Sequence, residues 1–99
     1  MDKRDIFLLT KPPHNQKTEL CLSLLKHSKN AVLYLAGDGV YNIFEVSSFE
    51  FLPSERLIAC QEDLKARGIS SGDEARVADD FYRLLVEDIS RDDSTIYVF

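Results

Sequence analysis

Ala31-Val32-Leu33-Tyr34-Leu35-Ala36 is an unbroken apolar run, with no charged or amide side chain at any period. A strand with one wet face alternates polar and apolar residues. A strand without alternation has to be covered on both faces, as in a parallel sheet with helices above and below it. Gly37-Asp38-Gly39 follows at once and supplies a sharp turn at the carboxyl end. Asp5-Ile6-Phe7-Leu8-Leu9 repeats the pattern, closed by the loop Thr10-Lys11-Pro12-Pro13-His14-Asn15, and is expected to be a central strand. Arg56-Leu57-Ile58-Ala59-Cys60 gives a third strand and Ser94 to Phe99 a last one.

Helical periods fill the gaps. From Gln16 to about Lys29, Leu20, Leu24 and Leu25, with Cys21 beside them, recur at three- and four-residue spacing. Val40 to Phe44 reads as a short helical turn, and Phe49 to Ser54 as a loop or brief extended piece limited by Pro53. Gln61 to Arg67 forms a short helix stopped by Gly68. After a loop at Ser70-Ser71-Gly72-Asp73, Phe81, Leu84, Leu85 and Ile89 mark a helix over Ala78 to Ile89, with Asp79 and Asp80 placed to start it. Strands alternating with helices predict a layered α/β domain, its sheet mainly parallel and its helices on both faces.

The chain has 99 residues, room for one core and one domain over 1–99. With 44% hydrophobic and 29% charged residues it has the composition of a soluble globular protein. No apolar run approaches the roughly 20 residues that cross a bilayer, and Met1-Asp2-Lys3-Arg4-Asp5 lacks the apolar region of a signal peptide. A cytoplasmic protein with no membrane contact is expected. The net charge of −5 argues against direct nucleic-acid binding.

Two cysteines stand far apart, without a CxxC or a Cys/His cluster, so neither a zinc site nor any other cofactor is expected and both thiols should be free. Cys60 ends a strand where a helix begins. Unpaired N–H groups and the positive end of the helix dipole favour thiolate there. As a thiolate, Cys60 can take up a persulfide sulfur and pass it on. As a buried thiol it is simply a small hydrophobe, and nearby carboxylates would raise its pKa. Cys21 falls on the apolar side of its helix, where a core or interface role fits, and is the second candidate carrier. In an open parallel sheet, ligand sites gather at the carboxyl ends of strands, so Asp38, Gly39 and Cys60 should share one edge.

His14 and His27 have no partner base or ligand nearby in sequence and read as surface residues. Gly37-Asp38-Gly39 lacks the length and lysine of a phosphate loop. Glu62, Asp63, Asp73, Glu74, Asp79 and Asp80 read as a solvated face. Tyr41, Phe44, Phe49 and Phe51 are either core or a protein interface, and an uncovered strand at Thr95 to Phe99 would invite another chain. Oligomerisation is expected.

Asp38-Gly39-Val40-Tyr41 after the second strand and Asp63-Leu64-Lys65-Ala66-Arg67-Gly68 after the third, together with the N-terminal strand, Phe81 in its helix and the short aromatic C-terminal strand, give the chain its resemblance to a known family. It resembles the DsrE/DsrF/DsrH and TusB/TusC/TusD sulfur-relay proteins, most closely the DsrH/TusB branch. That resemblance implies a three-layer α/β/α sandwich with a mostly parallel five-stranded sheet. It also implies assembly with DsrE/DsrF-like or TusC/TusD-like subunits, or as a homo-oligomer, and sulfur transfer in tRNA 2-thiouridine formation or dissimilatory sulfur metabolism. Cys60 stands in a relation to Arg67-Gly68 comparable to that of the carrier cysteine of the DsrE/TusD branch, where DsrH/TusB members commonly have an aliphatic residue. Cys21 approximates the helix-one cysteine of some DsrH members.

Three functions follow as expectations. The first is a persulfide carrier on Cys60, or on Cys21, that exchanges sulfur with donor and acceptor proteins, with Arg67 and the helix start at Gln61 stabilising the thiolate. The second is a non-catalytic assembly subunit whose cysteines only pack. The third is a small-molecule-binding module at the Asp38/Cys60 edge.

Overall fold

The computed structural model describes residues 4–49, 52–72, 75–91 and 93–99. Phe51, Asp73 and Glu74 lie outside the described residues, as does the side chain of Phe49. The elements run β1 (Arg4–Leu9), α1 (Gln16–His27), β2 (Ala31–Leu35), a 3-10 segment Gly37–Phe49, a 3-10 turn Ser54–Arg56, β3 (Leu57–Cys60), α2 (Gln61–Ala66), β4 (Arg76–Ala78), α3 (Phe81–Ile89) and β5 (Ser94–Val98). The strands form one sheet in the order β4-β3-β2-β1-β5. Every pairing is parallel, with Phe7 opposite both Leu33 and Tyr97, Leu35 opposite Ala59, and Cys60 opposite Ala78. The fold is therefore α/β, a five-stranded all-parallel sheet between helical layers.

β2 is the middle strand and is buried at every residue, as its unbroken apolar run requires. β1 is interior but lies next to the edge rather than at the centre, because the C-terminal strand β5 pairs outside it. Strand alternation then divides the core in two. Phe7, Leu9, Leu33, Leu35, Leu57 and Ala59 pack with α1, Val40 and Ile43 of the 3-10 segment, and Leu64 of α2. Ile6, Val32, Tyr34, Ile58 and Cys60 pack with Phe81 and Leu85 of α3 on the other face.

Two helix faces differ from expectation. On α1 the buried stripe is Thr18, Cys21 and Leu25, while Leu20 and Leu24 are exposed. Asn15 sets that phase by capping the helix, its Oδ1 accepting from the Lys17 N–H at 2.9 Å. Thr18 satisfies its hydroxyl by donating to the Pro12 carbonyl at 2.7 Å, so a polar residue takes a core position. On α3 the buried residues are Phe81, Leu85 and Asp88, and Ile89 is exposed. α3 also starts at Phe81 rather than Ala78, because Arg76–Ala78 is drawn into the sheet as β4, pairing with β3. Three residues are too few to show a strand period in sequence.

Asp88 is only 7% exposed and is fully engaged. The Tyr34 hydroxyl donates to its Oδ2, and Arg4 Nε lies 3.3 Å and Arg91 Nε 3.6 Å from its Oδ1. The Ser94 hydroxyl donates to its backbone carbonyl at 2.8 Å. One residue thus ties α3 to β1 and β2 through its carboxylate and to the start of β5 through its backbone carbonyl. Burial first, then the hydrogen bond and charge of Asp88, push the Tyr34 phenol pKa upward. Tyr34→Phe should lower unfolding free energy by about 1 to 2 kcal/mol in urea titrations, because it leaves a buried carboxylate oxygen short of a donor.

Of Gly37, Gly39 and Gly68, Gly39 is the most tightly enclosed. A Cβ there would collide with the Leu9 carbonyl oxygen and lie 2.8 Å from its carbon and 3.3 Å from Thr10 Cα. These are backbone atoms, which cannot swing away. Gly68, which ends α2 at φ +64°, has nothing within 4 Å of such a Cβ, so its glycine serves the backbone angle alone. Gly39→Ala should cost about 3 kcal/mol or more by overpacking. Gly68→Ala should cost about 1 kcal/mol. Equal losses in paired urea titrations would contradict this account.

Candidate functional site

The carboxyl ends of β1, β2 and β3 bring Asp38, Gly39 and Cys60 to one edge of the sheet, and Asp63 of α2 and Arg67 just after it join them. The Ala36 N–H donates to Leu9 O at 3.1 Å and the Gly39 N–H to Ala36 O at 2.9 Å, folding the chain sharply across the end of β1. Gly37, at φ +56°, turns its N–H onto Asp63 Oδ2 at 2.7 Å. Asp63, read from sequence as part of a solvated face, instead clamps α2 to the turn after β2. Its partner lies 26 positions away, so no local signal could have exposed the role.

Arg67 reinforces that clamp. Its Nε and Nη2 donate to Asp38 Oδ1 at 3.2 and 3.0 Å, and its Nη1 donates to the Asp63 carbonyl at 3.1 Å. Its guanidinium carbon stands 5.9 Å from the centre of the Tyr41 ring, within cation–π range. The fork is thus occupied by Asp38, Asp63 and Tyr41. Gln61 opens α2 directly after Cys60, which occupies the N-cap position without a side-chain capping bond.

The two cysteines lie on opposite faces of the sheet, Cys21 with α1 and Cys60 with α3. Both are free thiols. Cys21 is 0% exposed, and burial pushes its thiol pKa from 9.0 up to about 12. Cys60 is 4% exposed, and burial is the largest influence on it, raising its pKa. The Asp63 N–H, and more weakly the Glu62 N–H, pull the other way, as a helix start should. The Asp63 carboxylate then adds to burial through a hydrogen bond and its charge, and the net shift is upward. The Tyr82 phenol pKa is also raised, first by burial and then by the charges of Asp63, Cys60 and Glu62.

Two further residues escaped the sequence reading. His14 is exposed as expected, yet its backbone is left-handed at φ +66° and its Nε2 lies 2.9 Å from Glu45 Oε1, 31 positions away. Asn42 is buried, its Nδ2 donating to Lys11 O and Gly39 O. The predicted helical turn at Val40–Phe44 is longer than expected, a 3-10 segment kinked at Glu45. Of its aromatics, Tyr41 is half-buried and Phe44 is 67% exposed. Among the described residues no group of three or more His, Cys, Asp or Glu could hold a metal ion. No helix among them is long and apolar enough to cross a membrane.

The chain matches no family model, no curated protein and no solved structure.

Raised thiol pKa values carry a stability consequence. As pH climbs past the ordinary thiol value of 9.0, the unfolded chain releases a proton that native Cys21 holds until about 12. The folded state is stabilised below that window and loses the contribution across it. Urea midpoints should therefore fall more steeply with alkali in the wild type than in Cys21→Ala. In native protein at pH 8, iodoacetamide should label Cys60 slowly and Cys21 only on unfolding.

Proposed function

We propose that the chain is a sulfur-relay protein of the DsrH/TusB type, acting as a non-catalytic assembly subunit that organises DsrE/DsrF-like partners. Burial of both thiols on opposite faces of the sheet, with pKa values pushed upward, carries this choice over a carrier role. A carrier needs an accessible thiolate at neutral pH. The outer surface supports the assembly role: β5 is an edge strand with Ile96, Tyr97 and Val98 exposed, and α3 presents Tyr82, Val86 and Ile89. The Asp38–Arg67–Asp63 clamp holds the carboxyl edge rigid without a thiolate.

A second reading keeps Cys60 as the carrier, favoured by its place at the start of α2, where the Asp63 and Glu62 N–H groups face the sulfur. With Cys60 only 4% exposed, an opening that uncovers the sulfur would then have to precede transfer. Intact mass after incubation with a persulfide donor, without reductant, separates the two on wild type, Cys60→Ser and Cys21→Ser. The assembly subunit takes up no sulfur in any form. One added sulfur atom lost only in Cys60→Ser would establish the carrier and overturn the assembly reading.

A further inference from the structure

β5 is an outer strand of the sheet, and its parallel ladder with β1 sorts its backbone groups by parity. The Phe99 N–H donates to Leu8 O at 2.8 Å and the Phe99 carbonyl accepts from the Thr10 N–H at 3.0 Å, while the Asp93 carbonyl accepts from the Arg4 N–H at 3.1 Å. Residues 93 and 99 thus turn their peptide groups toward β1. Alternate residues do so in a parallel ladder, which gives Thr95 and Tyr97 to β1 and points the N–H and C=O groups of Ser94, Ile96 and Val98 outward. Ser94 spends its N–H on the Arg91 carbonyl at 3.2 Å. Ile96 and Val98 are left with two donors and two acceptors that have no backbone partner among the described residues.

Donors and acceptors set out along an extended line select another extended backbone as their occupant. Charge and symmetry decide whose. The chain carries a net charge of −5, so two copies repel each other over most of their surface. Ser94–Val98 has no charged side chain, so copies that meet there bring no like charges opposite one another. The other open edge, β4, is three residues long with Arg76 exposed, and joining it to β5 of a further copy would be a head-to-tail contact that can repeat without closing. β5 against itself closes as a two-fold pair. Reversal about Tyr97 sets Ile96 against Val98 of the second copy and Val98 against its Ile96, so each free N–H meets a free carbonyl and none is left over. Reversal about Ile96 would instead set the Val98 carbonyl against the Ser94 N–H, which is already spent. The side chains agree with the first arrangement. Ile96 and Val98 lie opposite Ile6 and Leu8, on the α3 face, and meet there as apolar pairs; Tyr97, stacked on Phe7, meets its own copy on the other face.

We infer that β5 binds a second copy of this chain by antiparallel β5–β5 pairing centred on Tyr97, joining the two sheets into one. The inference rests on the assembly reading for the use of β5 and names the occupant of that edge, leaving α3 to other partners. So narrow a contact fits a reversible dimer rather than an obligate one. The test is sedimentation equilibrium of the full chain across the micromolar to millimolar range, with amide hydrogen exchange followed by NMR at both ends of it. A monomer–dimer equilibrium is expected, in which the Ile96 and Val98 amides exchange freely in dilute protein and become protected on concentration, while those of Thr95 and Tyr97 are protected throughout. Val98→Pro removes one outward N–H from each copy and spares the ladder to β1, so it should weaken the dimer roughly tenfold; Val98→Ala, which keeps the N–H, should weaken it less. A monomer at every concentration would overturn the inference and leave the edge to a strand of another protein. A dimer whose Ile96 and Val98 amides stay open to exchange, or equal dimerisation of the proline and alanine variants, would overturn it as well. Sulfur uptake overturns the assembly reading separately, without moving the sedimentation result.

Discussion

The approach of Gly39 to the Leu9–Thr10 backbone determines where everything at the carboxyl edge of the sheet stands. No side chain fits between them, so the chain leaving β2 is forced across the end of β1 rather than away from it. That crossing delivers the Gly37 N–H to Asp63, sets Asp38 within reach of Arg67, and lays Asn42 over the Lys11 carbonyl. It also carries Glu45 back to His14, so the clamp on α2 and the His14–Glu45 pair are both products of one backbone contact. A long side chain cannot substitute for such an approach, because the neighbouring atoms are main chain already held in the β1–β2 ladder.

Cys60 shows two opposed influences on one thiol, and magnitudes decide between them. A helix start is worth roughly 0.3 to 1 kcal/mol to a nearby anion, and α2, only six residues long, sits at the low end of that range. Burial can move a thiol by several pKa units, each about 1.4 kcal/mol, and a carboxylate beside it adds to the same side. The second influence wins. Asp63 is held there because its Oδ2 accepts the Gly37 N–H. The arrangement that rigidifies the edge of the sheet is thus the one that disfavours the thiolate.

Much of the architecture was legible because it rests on periodicity. The unbroken run Ala31–Ala36 announced a covered strand, and the alternation of elements announced a parallel sheet. Gly68 marked the end of α2 because a left-handed cap favours glycine. What periodicity could not carry was phase and partnership. α1 buries Thr18 in place of Leu20 or Leu24, because Asn15 and the Pro12 carbonyl fix its rotation, and α3 buries Asp88 because Tyr34 and Arg4 meet it there. The candidate site was half readable. Asp38, Gly39 and Cys60 do gather at one edge, since strand ends are inferable, but the Asp63–Gly37 and His14–Glu45 pairs join residues 26 and 31 positions apart. Such contacts exist only once the chain has folded.

The same edge explains why an assembly role and a rigid site are compatible in so small a protein. A parallel sheet of five strands has two open edges, and here they are unequal. β4 is three residues long, with Arg76 and Val77 exposed, a short and charged edge of the kind that discourages pairing. β5 is longer, carries no charge from Ser94 to Val98, and exposes Ile96, Tyr97 and Val98. Its inner side is anchored, with Tyr97 stacked on Phe7 at 4.9 Å and the Phe99 carbonyl accepting from both the Thr10 N–H and hydroxyl. A strand held so firmly on one side loses little further entropy when a partner meets the other. Under the proposed reading, β5 is the edge the fold leaves available, and the closed carboxyl edge keeps the remaining surface from competing with it.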